Sequence, residues 1–451
     1  MRSFTRPASV VVGVALTVTL VSCAPGTGQG NAPEPQSTEI STDISGVDDM
    51  TLTVWDQEVR GAQNEQIEQL NAAFEERYPN ITIERNSQAF DDLNTTLRLA
   101  LTDNDAPDVV QANNARNTMG AFVAADQLRP LDDYADAYGW FDRYPASILQ
   151  YSTYSDDATV FGEGELYGLP QTGEIVGVFY SKSKLEELGL EVPSDWAAFD
   201  EALATAKSAG EIPLQLGNIE QWPAAHVFGP LQGNTVDVAD VTRLGLGNAG
   251  ASWTTPENEQ AAAALQGWAT DGYFNDGANG TDYDAAWQAL AAGNGVFLLG
   301  GSWLAADLAD AMGDDLGFFL PETDAGTLAT TGGTGVPFTI TSAAENTDVA
   351  AAYIDFLTSD AAMEILAETG NLPVNRTAEL APDSGVLADV YTAFDAVTQG
   401  GSLLPYLDYA TPTFGETIGS ALQDLLEGRT TPKQFTEALE ADYAEFIDSN
   451  G

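Results

Sequence analysis

Residues 51–55, Thr-Leu-Thr-Val-Trp, alternate polar and apolar side chains as a β-strand does, and they are the first indication of the fold class. Residues 66–78 follow with apolar side chains at helical spacing and end before a proline. The pattern then repeats with a strand at 81–84, a helix at 93–101 and a buried strand at 107–110. This alternation predicts an α/β domain built on a mainly parallel sheet.

Polar side chains leave the predicted sheet where two of its strands end. They are Asp56, Gln57 and Glu58 after the first strand, and Asn113 and Asn114 after the third. Ligands of such sheets bind beyond the carboxyl ends of the strands. We therefore expect these side chains to lie at one sheet edge and to contact a ligand.

The composition excludes several classes of protein. The chain has 451 residues, with 68 Asp and Glu against 16 Lys and Arg, and a formal net charge of -52. A protein that binds phosphate backbones needs clustered cations, so nucleic acid is not an expected partner. One His and one Cys cannot form a His-rich or Cys-rich metal site, and we expect neither a metal nor a cofactor. A hydrophobic fraction of 44% can fill a sizeable core, and the length suggests two or three domains.

The N-terminus has the features of a secretory signal. Two arginines precede an apolar run at 8–21 that is too short to span a membrane. The run leads into Leu-Val-Ser-Cys at 20–23, which resembles the lipobox of bacterial lipoproteins. This resemblance implies that residues 1–22 are a lipoprotein signal peptide and that an acylated Cys23 becomes the mature N-terminus.

A flexible tether is predicted to follow the lipidated cysteine, so that the two together cover residues 23–50. The segment 24–50 is rich in Gly, Pro, Ser, Thr, Asn and Gln and has almost no large apolar side chain. No later stretch approaches eighteen uninterrupted apolar residues. We therefore expect a folded body that its lipid anchor holds at the extracytoplasmic face of the cell membrane.

Strands and helices continue to alternate through the rest of the chain. Residues 175–180 and 295–299 are predicted strands because they are rich in β-branched, aromatic or other apolar side chains. Helix starts are indicated by Asp195 before the helix 197–209, by Thr255 before a proline, and by the capping box that begins at Thr431.

Five short motifs resemble, in order and spacing, the landmarks of family 1 extracellular solute-binding proteins, the sugar receptors of ATP-driven (ABC) importers. They are the strand that ends at Trp55 with its polar loop, Leu-Tyr-Gly-Leu-Pro at 166–170 followed by a strand that ends in Phe179-Tyr180, Gly-Gly-Ser-Trp-Leu at 300–304, Gly-Gly-Thr at 332–334, and Leu-Glu-Gly-Arg-Thr-Thr-Pro at 426–432. The similarity runs from Thr51 to Phe446, nearly the whole mature chain.

The resemblance implies a two-lobed, type II periplasmic-binding-protein fold, with the ligand cleft between two α/β lobes. It assigns 51–172 and 322–374 to the N-terminal lobe, and 173–321 and 375–451 to the C-terminal lobe. It also implies three segments that cross between the lobes, near 171–178, 320–330 and 372–376. The implied partners are a carbohydrate and the membrane permease subunits of an ABC importer, and the receptor is expected to be a monomer.

The residues themselves also favour a sugar cleft. Sugars present flat C–H faces to aromatic rings and hydroxyls to carboxylate, amide and guanidinium groups. Glu174, in a turn at the implied first crossing, is the first candidate carboxylate, and Trp303 is the first candidate stacking ring. Their alternative roles are a solvated turn acid and an ordinary core tryptophan. Trp222, just before a proline, can equally be a ligand platform or packed core.

The remaining candidates are found in loops and turns. Gly332 and Gly333 fit a close backbone approach to a ligand or a plain turn, and Arg376 could fork onto two hydroxyls or neutralise a carboxylate. The other candidates are Asp282 and Trp287, which flank a helix start, and Asp408 and Tyr409, in a loop where the family often places a ring.

Two alternative functions remain open beside a receptor that binds and releases an unchanged oligosaccharide. A secreted glycoside hydrolase would also line its cleft with acids and aromatic rings, since two carboxylates suffice for that chemistry. His226 has no Ser nucleophile elbow to act with and is interpreted as a structural histidine. The second alternative is the same fold with a non-sugar solute. We expect a receptor and no enzyme activity.

Overall fold

The computed structural model describes residues 40–102 and 106–450. The predicted signal peptide, Cys23 and the first part of the predicted tether lie outside the described residues. Among the described helices, none combines the length and the apolar character that a bilayer crossing requires.

The strands have the following bounds: β1 (Met50–Asp56), β2 (Ile81–Ser87), β3 (Val109–Gln111), β4 (Thr153–Tyr154), β5 (Glu165–Leu166), β6 (Gly173–Ser181), β7 (Leu214–Gln215), β8 (Phe297–Gly301), β9 (Leu316–Phe319), β10 (Ala329–Thr334), β11 (Phe338–Ile340) and β12 (Ser402–Leu404).

The α-helices are α1 (Gly61–Arg77), α2 (Phe90–Ala100), α3 (Ala121–Ala124), α4 (Asp132–Tyr138), α5 (Trp140–Arg143), α6 (Ala146–Leu149), α7 (Lys182–Leu188), α8 (Trp196–Ser208), α9 (Trp222–Thr235), α10 (Val238–Gly245), α11 (Pro256–Thr270), α12 (Tyr283–Ala291), α13 (Ala305–Met312), α14 (Thr347–Leu357), α15 (Asp360–Glu368), α16 (Thr377–Leu380), α17 (Val386–Gly400), α18 (Phe414–Leu426) and α19 (Pro432–Asn450).

The first sheet has the strand order β11-β3-β1-β2. Strands β2 and β3 both run parallel to β1, with Met50 opposite Ile81 and Val54 opposite Val109. Strand β11 closes the edge in the antiparallel direction. The prediction of a mainly parallel sheet from the opening strand–helix alternation is therefore confirmed.

The second sheet has the order β12-β10-β6-β8-β7, and β9 also pairs with β6. Strand β6 is central and antiparallel to β8, β9 and β10, while β7 and β12 pair in parallel with β8 and β10. Strand β6 contains the predicted strand 175–180, whose β-branched and aromatic side chains are buried.

Each sheet is covered by helices that bury an apolar core. On the first sheet, Leu52 and Val54 of β1 pack with Phe74 of α1 and with α14, where the Phe74 and Tyr353 rings meet edge to face at 5.2 Å. On the second sheet, the largest core cluster includes Val178 of β6 and Phe297 of β8. We refer to each sheet with its covering helices as the first lobe and the second lobe.

Three connections between the lobes lie side by side at Thr172. Residues 170–172 lead from the first sheet into β6, residues 335–337 lead from β10 back to β11, and the third connection runs beside them at 372–374. The Thr172 carbonyl accepts a hydrogen bond from Gly335 N at 3.0 Å, and Thr172 forms an antiparallel bridge with Pro373. The first and third connections overlap the expected crossings, but the second does not.

The second expected crossing, 320–330, is placed too early. Strand β10 still belongs to the second sheet, because Gly332 pairs with Ile175 and Gly333 with Glu174. The chain reaches the first sheet only at β11, after residues 335–337. This pairing also places 329–334 with the second lobe, whereas the resemblance implied a first-lobe segment from 322.

The predicted tether is too long at its C-terminal end. Ile44 is fully buried in the first-lobe core. Asn80 Nδ2 donates to the carbonyl oxygens of Ile44 and Val47 at 3.2 and 2.9 Å, and Ser41 N donates to Asp348 at 3.2 Å. Because these contacts hold the segment against the first lobe, residues 40–49 belong to the folded body.

The predicted helix starts are confirmed by their caps. The Asp195 carboxylate accepts from Ala198 N at 2.8 Å, and the Thr255 hydroxyl accepts from Asn258 N at 3.2 Å. At α19 the capping box is reciprocal, since Gln434 N donates to the Thr431 hydroxyl and Thr431 N donates to the Gln434 side chain.

Candidate functional site

Residues from both lobes line a cleft of about 650 Å³, a volume that includes its open mouth. The first lobe contributes the loop after β1, the start of α2 and the loop after β3. The second lobe contributes the start of β6, the first turns of α9 and the turns after β8, β10 and β12. The lining residues are Gln57, Arg60, Gln63, Phe90, Asn113, Glu174, Trp222, His226, Trp303, Thr334, Val336, Tyr406, Asp408 and Tyr409.

Aromatic rings of the second lobe form one side of the cleft. We call this set the aromatic wall. It consists of the lining residues Trp222, His226, Trp303 and Tyr406, together with Tyr283, which packs against Trp222 and Trp303. The Trp222 ring lies 4.5 Å from that of Tyr283 and 6.4 Å from that of Trp303, and the His226 ring lies 4.8 Å from that of Tyr406. Such rings offer flat apolar faces to a ligand.

Local sequence explains how the wall is built. A side chain at position 301 would place its Cβ 2.1 Å from the Trp303 ring, so Gly301 allows that ring to fold back over the chain. Trp303 Nε1 donates to Tyr283 OH at 2.9 Å, which fixes the indole. Trp222 begins α9, and His226 follows one turn later on the same helix face.

Three carboxyl groups are enclosed at or just behind the cleft. Burial raises the pKa of Glu174 to about 8, and the nearby Glu58 adds to the effect, while a hydrogen bond from Tyr406 OH at 3.2 Å opposes it. Burial raises the pKa of Glu58 to about 7 and that of Asp408 to about 6. Glu58 accepts hydrogen bonds from the side chains of Gln57 and Gln111, at 3.2 and 2.8 Å.

Arg60 is the cation of the cleft lining, and it is not among the residues predicted from the sequence. Its guanidinium donates to Asp284 of α12 at 3.1 Å and lies 5.8 Å from the centre of the Tyr283 ring. The ion pair joins the start of α1 in the first lobe to α12 in the second. Arg60 follows the predicted polar loop directly, so extending that loop by two residues would have found it.

Seven predicted residues line the cleft together. They are Gln57, Asn113, Glu174, Trp222, Trp303, Asp408 and Tyr409. Glu58 lies behind Gln57, and Asn114 lies behind Tyr409, whose hydroxyl donates to the Asn114 side chain at 3.4 Å. Asn114 also donates to the Tyr151 carbonyl, so its amide positions neighbours and does not line the cleft.

Asp56 does not line the cleft. Its carboxylate is fully buried and bonded to Arg85 of β2 at 2.6 Å and to the Ser87 hydroxyl at 2.9 Å. It also accepts from Glu58 N at 3.0 Å. Asp56 therefore shapes the loop that carries Gln57 and Arg60.

Gly332 and Gly333 are required by strand pairing. A Cβ at Gly332 would lie 2.3 Å from the Glu174 carbonyl oxygen, and one at Gly333, where φ is +143°, would lie 2.8 Å from the Tyr151 ring. The close approach is therefore to neighbouring protein groups, and both glycines lie within β10 and not in a turn.

The other three candidates also have partners outside the cleft lining. Asp282 caps α12 by accepting from Ala285 N at 3.0 Å, and Trp287 Nε1 donates to Asp284 at 3.0 Å. Arg376 pairs with Glu379 at 2.7 Å and Glu364 at 3.2 Å on the surface. Its alternative role, the neutralisation of carboxylates, is the one the structure shows.

Seven lining residues were not predicted as ligand contacts: Arg60, Gln63, Phe90, His226, Thr334, Val336 and Tyr406. His226 was interpreted as structural. Its ring is packed against the rings of Trp222 and Tyr406, and burial lowers its pKa to about 3, so the imidazole is neutral at physiological pH. It both supports the wall and borders the cleft.

Two α/β lobes around a cleft define the class of type II periplasmic solute-binding proteins. Residues 60–364 match the family model described as bacterial extracellular solute-binding protein, and the chain belongs to this family. The family resemblance stated from the sequence motifs is thereby confirmed. Its members are binding proteins that act outside the cytoplasm.

Known relatives agree with this assignment. An uncharacterized ABC transporter extracellular-binding protein of Pyrococcus horikoshii is 28% identical over 179 residues, 37% of each chain. The multiple sugar-binding protein of Streptococcus mutans is 25% identical over 151 residues, 33% of this chain and 32% of that protein. The matches thus span about a third of these two curated relatives. The structure of a chitin oligosaccharide binding protein superposes with a TM-score of 0.73 at 22% identity, covering 88% of this chain and 100% of that one.

Proposed function

We propose that this protein is the carbohydrate receptor of an ABC importer and that it releases its sugar unchanged. The observation that carries the proposal is the placement of the aromatic wall beside Glu174, Gln63 and Asn113 in one cleft. Ring faces match the C–H faces of a sugar, and carboxylate and amide groups match its hydroxyls. The sugar names of two relatives support the same ligand class.

Several features favour an oligosaccharide over a single sugar unit. Neighbouring rings connect Phe90 in the first lobe to Tyr406 through Trp222, Trp303 and His226, with successive centroids 6.4, 6.4, 5.5 and 4.8 Å apart. Polar lining groups are likewise provided by both lobes. A ligand that spans these contacts would be held by both lobes at once, as a receptor that closes on its ligand requires.

The test is isothermal titration calorimetry with a panel of mono- and oligosaccharides, together with chromatography of labelled oligosaccharides after long incubation. We expect saturable binding of an oligosaccharide and no hydrolysis products. Product formation would favour the glycoside hydrolase alternative, and a panel without any binder would contradict the carbohydrate proposal.

The receptor is further proposed to be a monomer that acylated Cys23 anchors to the cell membrane, where it meets the permease subunits. Support comes from the lipobox at 20–23 and from the family. In cells labelled with a palmitate analogue, the wild type should carry the label and partition into detergent. Cys23→Ser should carry no label and appear in the aqueous phase. An unchanged label in this variant would contradict acylation at Cys23.

A further inference from the structure

Several polar groups at the cleft are paired within the protein. The committed pairs are Trp303 Nε1 with Tyr283 OH (2.9 Å), Tyr406 OH with Glu174 Oε2 (3.2 Å), Gln57 Nε2 with Glu58 (3.2 Å), Tyr409 OH with Asn114 (3.4 Å) and Arg60 with Asp284 (3.1 Å). Trp222 Nε1 has no partner among the described residues, so it is a donor that a ligand can still use.

Acceptors that lack a cationic partner also remain available. Gln63 is 7% exposed, and its Oε1 has no hydrogen-bond partner within residues 40–102 and 106–450. Leaving a buried acceptor unpaired costs about 1–3 kcal/mol, so this oxygen favours a ligand that brings an N–H or O–H. Glu174 presents a second oxygen, Oε1, beside the one that Tyr406 occupies, and the Asp408 carboxyl lines the same cleft.

The charged groups of the cleft also favour a ligand that carries a positive charge. Glu174 and Asp408 are acidic, Glu58 lies behind them, and His226 is neutral. Arg60 is the cation of the lining, and Asp284 already pairs with it. An enclosed carboxylate is stable only when it is paired or protonated, and a cation can also lie favourably over a tryptophan face.

We propose that the ligand is a carbohydrate that carries at least one protonated amino group. This inference rests on the proposed carbohydrate function and narrows its ligand class. The ammonium group would donate to Glu174 and Gln63 and lie against the aromatic wall. The sugar ring would stack on Trp222 or Trp303. Its hydroxyls would use the groups that remain, such as the Asn113 amide and the Thr334 hydroxyl.

The test compares matched pairs of sugars that differ in charge. One pair is the tetramer of β-1,4-linked glucosamine and its fully N-acetylated, neutral counterpart, and a second pair is glucosamine and glucose. Calorimetry at pH 7 should give at least a tenfold lower Kd for the amino member of a binding pair. Added NaCl should reduce this difference, because salt screens the charge–charge attraction that only the amino member has.

Two variants with the same Glu-to-Gln substitution sharpen the test. Glu174→Gln should remove most of the preference for the amino sugar, measured as the ratio of the two Kd values within the variant. Glu364 lies on the surface beside Arg376. Glu364→Gln should leave the preference for the amino sugar within about twofold of the wild type.

The outcomes separate the two proposals. If a neutral sugar binds as tightly as its amino counterpart, or if Glu174→Gln keeps the full preference, the amino-sugar inference is wrong and the carbohydrate function stands. If none of these sugars and no member of the wider oligosaccharide panel binds, both proposals fail together.

Discussion

Replacing Trp303 with alanine should nearly abolish carbohydrate binding. Its ring lines the cleft next to Trp222, and the two centroids are 6.4 Å apart. Truncating a desolvated aromatic side chain at the centre of a binding site costs about 2–4 kcal/mol, or roughly 30- to 1,000-fold in Kd. Isothermal titration calorimetry on the wild type and the variant measures this ratio directly.

The same substitution also affects stability, and the two effects must be separated. Trp303 Nε1 donates to the hydroxyl of Tyr283, a residue that is 6% exposed. Losing the indole removes this bond and part of the packing between two core clusters, so about 1–3 kcal/mol of unfolding free energy should be lost. Circular dichroism and thermal melts establish that the variant is folded at the titration temperature. Trp303→Phe keeps a ring without the N–H and should bind more tightly than the alanine variant.

Trp287 provides a matched control. Its Nε1 also donates to a protein acceptor, Asp284 at 3.0 Å, but the residue is outside the cleft lining. Trp287→Ala should bind sugar within about threefold of the wild type, a difference below ~0.7 kcal/mol. If folded Trp303→Ala also stays within threefold, Trp303 is a packing residue and the stacking assignment is refuted.

Three further predictions concern the charges. Arg60→Met and Asp284→Asn should each lower the unfolding free energy by about 0.2–1 kcal/mol. The two losses should not add in the double variant, and a double-mutant cycle measures this. Burial raises the pKa of Glu58 from 4.5 to about 7, so the stability linked to its protonation is present below pH 4.5 and lost as the pH rises through 7. Glu58→Gln, whose Oε1 can still accept from Gln57 and Gln111, should therefore raise the melting temperature at pH 8 and change it little at pH 4.5; equal effects at both would contradict this. Finally, the net charge of -52 should make the wild-type melting temperature rise between low salt and about 1 M NaCl, whereas a flat curve would indicate locally balanced acids.

Local signals made the elements of the fold predictable. The alternation at 51–55 is the strand β1, and the caps at Asp195, Thr255 and Thr431 begin helices where the sequence indicated. Each of these features depends on residues within four positions of one another. Glu174 and Trp303 were located through family motifs, and the structure brings both into the cleft lining, although their contact with a ligand stays a prediction.

The rest of the site depends on contacts between distant parts of the chain. Asp56 was predicted as a ligand contact for the same reason as Gln57, but its carboxylate pairs with Arg85 on the neighbouring strand. Arg376 lies on the surface because Glu364 and Glu379 surround its guanidinium. The partners of Asp56 and Arg376 could not be identified without the strand pairing and the helix packing. The sequence of a polar loop does not show whether a side chain will contact a ligand or another part of the protein.

Glu174 connects the ligand site to the segments that join the lobes. It lies two residues after Thr172, where the three connections meet, and it pairs with Gly333, two residues before Gly335. A Cβ at Gly335 would lie 3.3 Å from Glu174 Oε1 and 2.0 Å from the Thr172 hydroxyl, so the carboxyl lies close to the second connection. A ligand bonded to Glu174 would therefore lie close to the backbone segments that join the lobes. Because a ligand shifts an equilibrium only through its different affinity for the two states, this placement gives a sugar bound at Glu174 a direct means to favour one lobe arrangement over another.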